Sequence, residues 1–142
     1  MNCHIAYLSD TEVRWPPSDL RDLVIARVAE ILSAYHFPDF SWLAMYFHLL
    51  GPEPNSFGMK PGVVRIRLSR RDDQMVATWA VDKATYDLAP NDDARAAIIV
   101  DGVLDVLRSI FKRYKIGAEQ TKNLESMLEN LRLETETGQL TS

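Results

Sequence analysis

The chain has 142 residues, 46% of them hydrophobic and 25% charged, which suits one globular domain with a core large enough to stand without disulfides or metal and excludes a disordered or fibrous chain. A formal net charge of −4 disfavours a general nucleic-acid binder, whose affinity comes mainly from Lys and Arg neutralising phosphate. Cys3 is the only cysteine, so no internal disulfide can form, as expected in a reducing cytoplasm.

Met1 to Tyr7 lacks the basic and apolar regions of a signal peptide, and Asp10 and Glu12 follow at once. Cys3 to Leu8 alternates as a short edge strand does. Trp15, Pro16 and Pro17 stop regular structure, and Ser18 with Asp19 caps a first helix running to about Tyr35. Leu20, Leu23, Val24, Val28, Ile31, Leu32 and Tyr35 form its apolar stripe, Arg27 intrudes on that stripe, and Arg21 lies off it. Pro38 ends the exit. Trp42 to Leu50 reads as a strand apolar on both faces, hence central in its sheet.

Gly51 to Pro61 holds too many glycines and prolines for an element and reads as an exposed loop, unusually long for a hairpin connection. Gly62 to Asp82 is the clearest local signal in the chain. Val64, Ile66 and Leu68 share one side of a first arm, and Met75, Ala77, Trp79 and Val81 share one side of a second. A reversal at Asp72 and Asp73 sets Leu68 opposite Ala77, Ile66 opposite Trp79 and Val64 opposite Val81, and a slip of one residue turns every apolar side chain outward. Tyr86 to Pro90 is expected to be a connector.

Asn91, Asp92 and Asp93 open a second helix that Gly117 closes. It is apolar over most of its circumference, with Asp101, Asp105, Arg108 and Lys112 as a narrow polar line. A third helix is expected from Ala118 to Leu133, where Leu124, Met127, Leu128 and Leu131 make a thin stripe that either completes the core or joins two protomers in a homodimer. Glu134 to Ser142 reads as a flexible polar tail beyond a single domain of residues 1–133. The order (β)-α-β-β-β-α-α predicts an α+β domain, an antiparallel sheet of three or four strands with helices packed on one face.

Little in the sequence points to chemistry. His4, His36, His48 and Cys3 do not fall at metal-ligand spacing, no glycine cradle for phosphates occurs, and neither the serines nor Cys3 have a local base. No catalytic residue, metal or cofactor is therefore assigned. Asp101 and Asp105 stand one helical turn apart, but Arg108 and Lys112 on the same line can neutralise them. The sharper feature is Arg65, Arg67, Arg70 and Arg71, aligned on one arm and its turn as an anion or acidic-partner patch. Phe57 and Met59, large apolar residues on the loop, either anchor a partner or tuck back on the core.

These features favour a small cytoplasmic protein that binds another protein, of the kind that neutralises a toxin as an immunity protein does, through Arg65, Arg67, Arg70, Arg71, Phe57 and Met59. A first helix, three strands and a long helix are also similar to secretion chaperones, although here Gly117 leads directly into the third helix where those proteins have further strands. The same order resembles double-stranded RNA-binding domains, whose basic second-helix start is replaced by Asn91, Asp92 and Asp93, which repel phosphate. An enzyme acting on a small ligand through a spatially assembled site stays open, because fold does not dictate function. No membrane segment is expected; the longest apolar run, Trp42 to Leu50, is too short to span a bilayer.

Overall fold

The strand Trp42–Leu50 is apolar on both faces because it lies inside the sheet, with a strand hydrogen-bonded on each side. The computed structural model describes residues 2–9, 14–52, 58–114 and 116–140. In chain order the elements are β1 (Asn2–Ser9), α1 (Asp19–Ser33), β2 (Trp42–Leu50), β3 (Arg65–Ser69), β4 (Gln74–Asp82), α2 (Lys83–Leu88), α3 (Asp92–Tyr114) and α4 (Ala118–Glu136). The expected edge strand near the N-terminus is present as β1.

The sheet order is β1-β2-β4-β3. β1, β2 and β4 run parallel, and only β3 is antiparallel to its neighbour. The antiparallel sheet expected from the sequence is thus corrected to a mixed one. Two connections explain why. α1 carries the chain back over one face between β1 and β2, which makes that pair parallel. The long segment after β2 then leads to the far edge of the sheet, so that β4, returning from β3, slots in beside β2. Along this segment Met59 packs with Leu50 and Ala80 on the sheet face away from the helices, and the Gly62 amide donates to the Ala80 carbonyl at 2.9 Å. Its length is that of a crossing, not of a hairpin loop.

The β3–β4 hairpin keeps the expected faces but not the expected partners. Leu68 pairs with Met75 and Ile66 with Ala77, a shift of two positions from a reversal centred on Asp72 and Asp73. Because side chains alternate with a period of two, this shift keeps both apolar sets on the core face, with Met75, Ala77, Trp79 and Val81 buried and Val64, Ile66 and Leu68 half-buried. The turn is centred one residue earlier, closed by the Asp73 amide on the Arg70 carbonyl at 3.4 Å. Asp73 takes φ +53°, a left-handed conformation that Asp tolerates better than most residues. Trp79 consequently pairs with Phe47 of β2, ring centroids 5.4 Å apart and edge to face.

One core joins the sheet to the helices. Leu43, Met45, Phe47 and Leu49 of β2 and Met75, Ala77, Trp79 and Val81 of β4 meet Val24, Val28 and Leu32 of α1 and the apolar side of α3. α4 packs against α3 and α1, burying Leu124, Leu128, Leu131 and Thr135. The expected stripe is corrected at Met127, which is 50% exposed. Glu134 to Glu136 belong to α4, and Leu140 packs against the core, so the segment read as a polar tail begins as helix. The expected connector after β4 holds the short helix α2, capped by the Asp82 carboxylate accepting from the Ala84 amide at 3.2 Å.

α1 and α3 are tied at their starts. Ser18 caps α1 by accepting from the Arg21 amide at 3.1 Å, while its hydroxyl donates to the Asp92 carboxylate at 3.0 Å. Arg21, placed off the apolar stripe by its charge, is instead 6% exposed. Its guanidinium donates to the Pro16 carbonyl and lies 5.7 Å from the Trp15 ring, which in turn meets Tyr86 edge to face.

Candidate functional site

The edge position of β3 gathers most of the cations singled out in the sequence. Arg65, Arg67, Arg70 and Arg71 are all exposed. Arg65 pairs with Thr78 and Arg67 with Val76, which places both arginines on the sheet face opposite the helices, while Ile66 and Leu68 turn to the core. Arg70 and Arg71 continue the row into the turn. Arg65 also donates to the Gly58 carbonyl at 2.7 Å, tying the crossing segment to the strand. Among the described residues no ion pair reaches Arg67, Arg70 or Arg71. The two turn aspartates are engaged elsewhere: Asp72 accepts from Ser69 at 2.9 Å, and Asp73 from Ser41.

A fifth cation joins this margin from the other side of the sheet. Arg113, in the last turn of α3, donates to the Ile66 carbonyl at 3.4 Å. Nothing in the sequence signals this, since 47 residues separate the two and only the packing of α3 on β3 brings them together. The contact also fixes how the backbone of β3 is presented. Alternate residues of an antiparallel strand direct N–H and C=O towards the partner or away from it. The β4 residues Ala80, Thr78 and Val76 face β3, as the Gly62–Ala80 bond requires, so Arg65 and Arg67 complete the ladder and Ile66 and Leu68 point outward. Among the described residues, no backbone group pairs with those outward groups.

The apolar half of the expected site does not assemble there. Met59 is 6% exposed and packed on Leu50 and Ala80, with the Thr78 hydroxyl 3.8 Å from its sulfur. It tucks back onto the sheet and is unavailable as an exposed anchor, a correction that follows from the need to cover Ala80 on the helix-free face. Phe57 lies outside the described residues.

The polar line of α3 serves packing. Arg132 of α4 pairs with Asp101, and Arg108 reaches Glu129 at 3.0 Å and Glu125 at 3.8 Å. Both aspartate and arginine are thus neutralised from α4 more than along their own helix. Burial holds the Asp105 carboxyl above the usual carboxylate range, with the Trp79 indole N–H and Arg108 pulling it down and Asp101 pushing it up. Asp101 and Asp105 do not form an isolated acid–base pair. Among the described residues, no group of three or more His, Cys, Asp and Glu side chains comes together as a metal site requires.

Away from this margin, a concavity of about 620 Å³ runs between α1 and α4, lined by Ile31, Ala34, Met127, Leu131 and Leu140 together with Arg27 and Glu30. No protein-family model matches the chain, and no curated protein or solved structure matches it either. Among the described residues, no helix is long and apolar enough to cross a membrane.

Proposed function

We propose that the chain works by binding another protein through the β3 margin, in the manner of an immunity protein that neutralises a toxin by direct contact. One observation carries this reading. Arg67, Arg70 and Arg71 stand exposed with no ion-pair partner among the described residues, on a molecule whose net charge is −4. A local row of cations on an acidic protein favours an acidic partner surface and speeds encounter with it. Arginine also suits bidentate contact with carboxylates. The same row is compatible with phosphate, but the acidic remainder of the molecule repels a long polyanion.

The test is to tag the chain, identify what co-purifies from its native host, and measure the Arg67→Glu, Arg71→Glu double variant against that protein and against a generic RNA duplex over a range of salt. The expected result is a folded variant that has lost most of its affinity for the protein partner, with no measurable RNA affinity in the wild type. A variant that holds its partner undiminished reduces the arginines to a solvated face and ends this reading. Salt-sensitive binding of the RNA duplex by the wild type, abolished in the variant, replaces the protein partner with a nucleic acid.

A further inference from the structure

Resting on that reading, we infer that the β3 margin takes its partner as an added strand: an extended, acidic polypeptide segment that hydrogen-bonds to the outward groups of Ile66 and Leu68 and sets its carboxylates against the arginines. β3 is an outer strand of the sheet, its outward N–H and C=O groups meet no other backbone group among the described residues, and the side chain of Arg113 occupies only the Ile66 carbonyl. Such an edge is a ready template for strand addition, in which main-chain bonds give affinity and alternate side chains give specificity.

Charge selects the occupant. Arg65 and Arg67 project on the helix-free face, Arg113 approaches from the helix side, and Arg70 and Arg71 extend the row beyond the strand end. A second copy pairing edge to edge through β3 sets arginine rows against each other, and like charges directly opposite are destabilising. The arginines therefore block self-association at this edge while favouring a segment with carboxylates at alternate positions. On such a segment the residues opposite Arg65 and Arg67 share their face, and the intervening ones lie over Ile66 and Leu68, so alternating acidic and apolar residues fit.

The probe is a short synthetic peptide alternating glutamate and valine, with ends blocked, titrated against the intact protein by fluorescence anisotropy. Two N-methylated versions accompany it, one methylated at every valine amide and the other at every glutamate amide, together with a version carrying lysine for glutamate. An added strand turns one alternate set of amides towards β3, so methylation of one set should weaken binding about tenfold or more, the equivalent of ~1.4 kcal/mol, while the other set is tolerated. Arg67→Glu with Arg71→Glu should weaken the unmethylated peptide by a similar factor, and the lysine peptide should not bind. Equal binding by both methylated peptides overturns strand addition yet leaves the cationic surface standing, provided that the charge-reversed variant still loses affinity. Failure of the unmethylated peptide to bind overturns the inference too. If the variant also keeps its whole-protein partner, the reading beneath it falls with it.

Discussion

Trp79 shows how one side chain constrains its neighbours. It is buried at the junction of β4, β2 and α3, edge to face with Phe47, and α3 comes close enough to it only because residue 102 is glycine. A Cβ at Gly102 would stand 2.8 Å from the indole ring, nearer than packed carbon atoms approach. Alanine gains about 1 kcal/mol over glycine in a helix interior, but overpacking a rigid ring costs about 1 to 3 kcal/mol. Gly102→Ala should therefore lower the urea midpoint, and an unchanged or raised midpoint would show that the indole moves aside freely. Asp105, beside Trp79, is coupled to folding through its proton. Its carboxyl is raised chiefly by burial, so its favourable contribution to folding is present below the ordinary carboxylate pKa of about 4 and is lost as pH rises through the higher folded value. At neutral pH the ionised group opposes folding. Asp105→Asn should raise the melting temperature slightly at pH 7 and leave it unchanged in acid, as thermal melts across that range would show; an equal loss at both pH values would indicate a structural role for the carboxylate.

Among the elements, α4 is the one whose packing the sequence left open between core and dimer contact. Leu128 is fully buried in the core whereas Met127 beside it is half exposed. Leu128→Ala should cost about 2 to 5 kcal/mol, the range for large-to-small core changes, while Met127→Ala should cost under about 0.5 kcal/mol as surface changes do. Chemical denaturation of the two variants checks this, and comparable losses would place Met127 in an interface. Alternation in the Val64–Leu68 and Met75–Val81 arms identifies both strands and their buried faces, because a period of two is a local property. It does not distinguish registers two residues apart, since both turn the same side chains to the core, and the turn at Arg70–Asp73 decides between them. An apolar β2 likewise identifies a central strand without naming its neighbours. Its parallel pairing with β4 depends on where the segment after Leu50 leads, and a loop of glycines and prolines does not encode that destination.

At the scale of the whole molecule, the helices cover one face of a mixed sheet and leave the β3 edge with its arginines at the margin. The arginine row was legible because Arg65 and Arg67 alternate on a strand. Arg113 was not, because its place beside Ile66 depends on α3 packing against β3. Met59 was legible only as a choice between anchor and cover, which the crossing over Ala80 decides for cover. On the function proposed above, this margin, and not the cleft between α1 and α4, receives the partner. Amide hydrogen exchange, followed residue by residue in the free protein and in its complex with the co-purified partner, tests that directly. The outward N–H groups of Ile66 and Leu68 should exchange rapidly in the free chain and slow markedly in the complex, together with the turn through Asp73, while Ile31, Ala34 and Met127 remain unaffected. Slowed exchange around Ile31 and Met127, with Ile66 and Leu68 unaltered, would place the partner in the cleft instead.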